Sequence, residues 1–246
     1  MKPTANAIEV HDLVKIFGHF QAVKKINFAV RQGEILGFLG PNGAGKTTTI
    51  KMITGLLNIT SGSILVNGLD NQKHMALIKK KIGYMSQKFS LYPLLTVREN
   101  IEFFGGISGL NRKELRDQFT RIGTQLSDEL LRQRVQALPP GIRQQVALLV
   151  CLLPDPEIIL LDEPTSGVDP AMRRQFWNEI YSLKKNNKTL LVTTHHLDEA
   201  EYCDRVMIIH NGKIVLQGEP AELLSQNRQT SIEELFKQVI SAHGQN

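Results

Sequence analysis

Gly40-Pro41-Asn42-Gly43-Ala44-Gly45-Lys46-Thr47 decides the reading of this chain. The octet has the form G-x-x-x-x-G-K-[ST], a loop that surrounds phosphate oxygens with backbone N–H groups. An apolar run of strand length, Glu34 to Leu39, precedes it, and Lys46 to Thr54 reads as a helix, so the loop joins a strand end to a helix start. Glycines at 40, 43 and 45 let the backbone turn its amides inward around an anion. The helix N-terminus adds partial positive charge at the same place. Lys46 is then placed to reach the β and γ phosphates and the Thr47 hydroxyl to bind Mg²⁺, with Thr48 next in the same nucleotide-binding set.

The chain has 246 residues, enough for one large domain with an insertion or two small ones. Its longest apolar run, Val146 to Leu153, is ended by Pro154 and is far shorter than the roughly 20 residues of a membrane helix. No apolar leader is visible in the first residues, so a cytoplasmic protein that does not itself cross a membrane is expected. Cys151 and Cys203 lack metal-ligand spacing and are expected to be inert core thiols. A net charge of +5, with clusters at Lys24-Lys25, Lys79 to Lys81 and Lys184-Lys185, suits a solvated surface, the inner face of a membrane or a nucleic acid, and does not choose among them.

Ile8 to Phe17 and Ala22 to Val30 alternate apolar and polar residues, as an antiparallel pair turning near Gly18-His19 would. Phe17 at the end of the first is either a base-stacking aromatic or a core aromatic closing the hairpin. Lys81 to Met85 reads as a strand leading to Gln87, which is either a Mg²⁺ or water ligand or a surface residue. From Leu94 to Leu153 the signals are helical. Thr96-x-x-Glu99 is a capping box before Ile101, Phe103, Phe104 and Ile107; Asn111 caps a second helix carrying Leu115, Phe119, Ile122 and Leu126; Ser127 to Ala137 is a third candidate. The entry to this region, Phe89 to Leu95, is apolar where a loop should be polar, which fits a docking surface or packing under the helices. A break at Leu138-Pro139-Pro140-Gly141 precedes a helix over Ile142 to Leu153.

Ile158 to Leu161 is a continuous aliphatic run ending in Asp162-Glu163, the pattern of a parallel strand buried on both faces with acids at its carboxyl end. Beside a phosphate loop this is a Walker B arrangement: Asp162 holds Mg²⁺, and Glu163 orients or deprotonates the attacking water. Thr165 to Pro170 is a turn before a helix over Ala171 to Asn186. Thr189 to Thr194 is a second buried strand, ending where His195 can donate to a γ-phosphate while His196 points away. Val206 to His210 and Lys213 to Leu216 form a hairpin about Asn211-Gly212. Ser231-x-x-Glu234 starts a terminal amphipathic helix with Ile232, Leu235, Phe236 and Val239 on one face, packing back on the core.

The order of these motifs resembles the nucleotide-binding subunit of ATP-binding cassette (ABC) transporters, from about Ile8 to Gly218. Walker A at Gly40 to Thr47, a glutamine loop at Gln87, LLDEP at Leu160 to Pro164, SGVDP at Ser166 to Pro170 and TTH at Thr193 to His195 carry the likeness. The resemblance implies that Phe17 stacks on the base, Gln87 couples to the membrane partner and ligates the metal, Glu163 is the catalytic base, Asp169 acts across a dimer and His195 senses the γ-phosphate. It implies an α/β P-loop NTPase fold, with a mainly parallel core sheet, an antiparallel β-subdomain and an inserted α-helical subdomain. The ATPase domain spans 1–225, with its core at 1–93 and 154–225, the insertion at 94–153 and a helical tail at 226–246. ATP and Mg²⁺ are the implied ligands. The implied partners are a separate transmembrane permease, which places the chain peripherally on the inner face of the membrane, and a second ATP-binding subunit, identical or not; no nucleic acid is expected.

One departure concerns the loop that in the family faces the ATP held by the opposite subunit. Where most members carry L-S-G-G-Q, this chain has Leu138-Pro139-Pro140-Gly141-Ile142. Two prolines there have neither hydroxyl nor N–H, which removes one or two charge-assisted hydrogen bonds of about 1.5–3 kcal/mol each. The L-P-x-G-x-R-Q form over Leu138 to Gln144 resembles a drug-exporter branch, as do HHLDEAEYCDR at His195 to Arg205 and SIEELF at Ser231 to Phe236. Export of drugs or other hydrophobic compounds is the implied function. A soluble ABC ATPase acting on ribosomes or DNA is a rival; such proteins resemble paired cassettes or carry long coiled insertions, and this chain has one Walker A, no heptad stretch and no basic tail. A non-hydrolysing sensor is suggested by Pro139 and Pro140 and opposed by Asp162, Glu163 and His195.

Overall fold

The computed structural model describes residues 5–87, 91–122 and 126–243. Strands β1 (Asn6–Phe17) and β2 (Phe20–Arg31) form the expected hairpin, and β3 (Ile35–Leu39) runs through the phosphate loop into α1 (Lys46–Ile53). Next come β4 (Ser61–Val66), β5 (Leu69–Asp70), α2 (Met75–Ile78) and β6 (Ile82–Met85). A helical stretch follows: α3 (Val97–Ile107), α4 (Arg112–Ile122), α5 (Asp128–Arg132) and α6 (Pro140–Leu152). The chain then continues as β7 (Ile158–Asp162), α7 (Pro170–Lys185), β8 (Thr189–Thr194), β9 (Arg205–His210), β10 (Lys213–Gly218), α8 (Pro220–Asn227) and α9 (Ile232–His243).

The core sheet has the order β10-β9-β3-β8-β7-β6, with β10 alone antiparallel. A second, antiparallel sheet has the order β2-β1-β4-β5. The fold is therefore α/β, with a mainly parallel core sheet and a separate antiparallel sheet. Strands β3, β7 and β8 are buried along their whole length, as aliphatic runs covered on both faces must be. Alternation divides β7 between two cores: Ile159 and Leu161 pack with Trp177, Phe176 and Val146, and Ile158 and Leu160 with Phe38, Ile50 and Ile78.

Local signals account for most boundaries. Thr96 caps α3 with its hydroxyl on the Glu99 N–H, and the Glu99 carboxylate returns to the Thr96 N–H at 2.7 Å. Asn111 and Glu114 repeat this at α4. Asn211 and Gly212 both have positive φ, as a primed hairpin turn requires. In the tail Ser231 accepts from Glu234 N–H, and Glu234 reaches back to Thr230. Ile232 and Leu235 of α9 are buried in the core, as the amphipathic pattern predicts.

Three expectations differ from the structure. Ser127 to Ala137 does not form one helix: α5 stops at Arg132, because Arg134 bridges Thr96 in a short β-pairing, and a 3₁₀ turn covers Val135–Ala137. Helix α6 starts at Pro140 rather than Ile142, since proline's fixed φ and missing N–H suit the first helical position. The third concerns α3, whose buried face is Val97, Asn100, Ile101 and Gly105; Phe103 is 40% exposed and Ile107 68%. The side chain of Ile122 lies outside the described residues.

Candidate active site

Parallel strands place their carboxyl ends along one edge, and β3, β6, β7 and β8 each deliver functional residues there. From β3 comes the loop Gly40–Thr47; from β6, Gln87; from β7, Asp162 and Glu163; from β8, His195. The parallel register sets Asp162 opposite Thr193 and Leu39 opposite Thr194.

In the phosphate loop, Gly43 and Gly45 have φ of 80° and 114°, a region disfavoured for residues with a Cβ. A Cβ on Gly45 would lie 2.9 Å from the Ala22 carbonyl oxygen, so the β1–β2 hairpin presses directly on the loop. Pro41, Asn42 and Gly43 are exposed at its tip, while Ala44, Gly45 and Lys46 are buried. Thr48 is half-buried on the first turn of α1. The Lys46 ammonium donates to the carbonyls of Gly40 (2.6 Å) and Pro41 (3.2 Å) and lies 3.3 Å from Glu163 Oε1. Burial lowers its pKa, and the Glu163 carboxylate works against that shift.

Asp162 is nearly inaccessible. Its Oδ1 accepts from Thr193 Oγ1 at 2.7 Å and Thr47 Oγ1 at 3.0 Å, while Oδ2 is buried without a hydrogen-bond partner among the described residues. Burial raises its pKa, against the pull of the two hydroxyls. An orphaned carboxylate oxygen beside a threonine hydroxyl is a donor set suited to a hard divalent cation.

Glu163 is the meeting point. Its Oε2 accepts from Gln87 Nε2 at 2.9 Å and lies 3.0 Å from His195 Nδ1, and its Oε1 faces Lys46. The residue leaves β7 with φ of 51°, a left-handed conformation that costs a non-glycine residue about 1–3 kcal/mol. Its N–H is held by both the carbonyl (3.1 Å) and the hydroxyl (2.9 Å) of Thr193. His196 makes no hydrogen bond to Glu163; its ring lies against that of His195, centroids 4.2 Å apart and planes tilted by 35°. Burial first, then the Arg173 charge, lowers the His196 pKa.

The remaining predicted residues lie elsewhere. Phe17 is 47% exposed at the hairpin tip, with the Lys15 ammonium 4.9 Å from its ring centroid, so it does not close a core. Asp169 caps α7 by accepting from the Ala171 and Met172 N–H groups. Pro139 and Pro140 are exposed at the start of α6, and Gly141 is buried against Met172 of α7; among the described residues no hydrogen bond links this turn to Lys46, Asp162 or Glu163. Cys151 and Cys203 are free and buried, burial pushing the Cys151 thiol up to about 12.

Sequence reasoning passed over Thr193, whose hydroxyl bridges Asp162 and the Glu163 N–H. Its position two residues before His195, at the end of a strand next to β7, was the available signal. Helical spacing also gave no sign that Phe103 and Ile107 are exposed, as Tyr92 and Leu94 are, with Tyr92 and Phe103 packed edge to face at 4.8 Å. Of the apolar entry segment, read as a docking surface or as packing under the helices, Leu91 is buried and Tyr92 and Leu94 are exposed; Phe89 and Ser90 lie outside the described residues.

Residues 23–166 match the family model for ABC transporters. Over 92% of its length the chain is 45% identical to the probable multidrug ABC transporter ATP-binding protein YbhF of Escherichia coli, and it spans 39% of that relative. It is 36% identical to the ABC transporter ATP-binding protein NatA of Bacillus subtilis, over 88% of this chain and 89% of that one. The fold is similar to a solved ATP-binding subunit of an ABC transporter, with a TM-score of 0.84, 28% identity, and coverage of 95% of this chain and 99% of that one. A dimeric cassette solved in a post-hydrolysis state with ADP and phosphate gives a TM-score of 0.78 at 25% identity, covering 86% and 98%.

Proposed function

The chain belongs to the ABC transporter family as an ATP-binding cassette, and on that premise we propose that it hydrolyses ATP to drive a separate transmembrane permease. The observation that carries this reading is the convergence of Lys46, Gln87 and His195, from separate strand ends, on the buried carboxylate of Glu163.

The loop amides and Lys46 hold the phosphates. Bound nucleotide draws the Lys46 ammonium from the Gly40 and Pro41 carbonyls, and the phosphates replace them as its partners. Phe17 offers its exposed face to the base, which any nucleobase accepts through its π-face. Thr47, Asp162 and Gln87 hold Mg²⁺, which supplies charge neutralisation on the phosphate oxygens. Glu163 accepts the proton of the attacking water as the water oxygen bonds to the γ-phosphorus and the bond to the β–γ bridging oxygen breaks. His195, fixed by Glu163, turns its other ring nitrogen to the γ-phosphate. Asp169 and the Pro139–Gly141 turn face the second subunit of the dimer, which closes over the nucleotide.

The permease docks on the cluster of Tyr92, Leu94, Phe103 and Ile107, only five residues beyond Gln87 at its nearest point. Leu94 is 69% exposed, Tyr92 and Phe103 are in ring contact, and large apolar side chains exposed together mark a partner surface. The helical insertion 94–153 thus reports nucleotide state from Gln87 to the membrane, with the chain on its cytoplasmic face. Export of drugs or other hydrophobic compounds is taken from the Leu138 to Gln144 pattern and from the relative named for multidrug transport.

Capture of tagged Glu163→Gln protein from detergent-solubilised membranes with ATP present tests the assignment. A polytopic membrane protein is expected, lost when Leu94→Glu is added. Ribosomal proteins or nucleic acid instead would refute the transporter reading.

A further inference from the structure

Outside the cluster around Glu163 two acidic side chains are buried: Glu34, paired with Arg205 at 3.0 Å, and Glu199. Glu199 is fully inaccessible, in the 3₁₀ segment Leu197–Tyr202 that follows the histidine pair. Its Oε1 accepts a 2.6 Å hydrogen bond from Thr165 Oγ1 and lies 3.7 Å from Arg173 Nε, while Oε2 has no hydrogen-bond partner among the described residues. A desolvated carboxylate costs several kcal/mol, so space-filling alone does not account for it.

What distinguishes Glu199 is the set of segments it joins. Thr165, also inaccessible, lies in the turn after Glu163, a turn closed by Ser166 N–H on the Glu163 carbonyl (3.2 Å) and Val168 N–H on the Thr165 carbonyl (3.2 Å). Arg173 stands on the first turn of α7, its N–H on the Asp169 carbonyl at 2.9 Å and its guanidinium also on Asp198 at 3.3 Å. The Glu199 N–H donates to the His196 carbonyl at 3.2 Å. The carboxylate of Glu199 therefore joins the turn behind Glu163 to the helix capped by Asp169, and its backbone N–H holds the segment at His196, next to His195.

We propose that Glu199 is a positioning residue, which through Thr165 and Arg173 sets the separation of Glu163 and His195 and couples it to the Asp169 turn. The proposal rests on Glu163 and His195 being the reacting pair. Neither Glu199 nor Thr165 bonds to the phosphate loop, so loosening this tie displaces Glu163 from His195 and leaves nucleotide binding intact. Misplacement of a catalytic group by about 1 Å costs on the order of 100-fold in rate.

The test compares wild type, Thr165→Val, Thr165→Ser and Glu199→Gln in ATP turnover, ATP affinity by calorimetry and thermal midpoint. Thr165→Val removes the donor at constant shape and is expected to lower kcat about tenfold or more, with KM and calorimetric Kd within twofold of wild type. Thr165→Ser is expected to restore kcat. Glu199→Gln keeps an acceptor for Thr165 but loses the charge facing Arg173, and should fall between. Unchanged kcat in Thr165→Val would overturn the proposal, as would a loss of kcat matched by loss of affinity and not restored by serine. A wild-type protein that binds ATP and never turns it over would instead overturn the assignment of Glu163, and the proposal with it.

Discussion

Replacing Glu163 with glutamine separates the base role from the binding role, because the structure gives each oxygen of the carboxylate a different neighbour. Oε2 accepts from Gln87 and meets His195, and Oε1 faces Lys46 at 3.3 Å. Glutamine preserves the shape and can still accept one of these contacts, but it cannot take the proton of water. Loss of a positioned general base lowers kcat by about 10²–10⁴-fold. Without nucleotide the buried Lys46 loses its nearest counter-charge but keeps the Gly40 and Pro41 carbonyls, so the destabilisation stays near that of one charged hydrogen bond, about 1.5–3 kcal/mol. For a chain of this length that is a fall of roughly 3–12 °C in Tm. ATP reverses the sign. The phosphates replace the missing charge at Lys46, and nucleotide at 100 times its Kd adds about 2.7 kcal/mol, or about 5–11 °C. Steady-state phosphate release and thermal melts with and without ATP·Mg²⁺ measure both arms. Turnover within tenfold of wild type, or a variant that ATP fails to stabilise, would refute the roles given to Glu163 and Lys46.

Phe17→Ala should weaken ATP binding by about 1–3 kcal/mol, the worth of one aromatic–base stack, and GTP binding similarly, while Phe17→Trp retains affinity; calorimetry reads this directly. Thr193→Val removes the donor to Asp162 and one of two acceptors of the Glu163 N–H, and should lower stability by about 1–3 kcal/mol in urea titrations. His196 has a folded-state pKa below 6.5, so the stability it contributes is complete above that pH and is lost as pH falls through the lowered value. Denaturant midpoints of wild type should therefore drop more between pH 7 and pH 5 than those of His196→Asn.

The phosphate loop, the acidic end of β7 and the strand-end histidine are legible in the sequence because their chemistry is local. A glycine-rich turn between strand and helix can cradle an anion wherever the rest of the chain lies. Buried parallel strands are equally plain as unbroken aliphatic runs, and capping boxes mark α3 and α4 because their hydrogen bonds span only three residues. Periodicity fails where an apolar residue has no core to meet. Phe103 and Ile107 keep helical spacing in α3 yet stay exposed, since spacing records which residues share a face and not what covers that face.

Tertiary structure alone brings Gln87 and Glu163, 76 residues apart, to 2.9 Å, and Thr165 and Glu199, 34 apart, to 2.6 Å. The parallel order β3-β8-β7-β6 interleaves distant segments so that their carboxyl ends share one edge. Residue types thus determine that this chain holds a nucleotide. Strand order and register determine which side chains meet at Glu163, because a contact across a sheet depends on neighbours that no local pattern encodes.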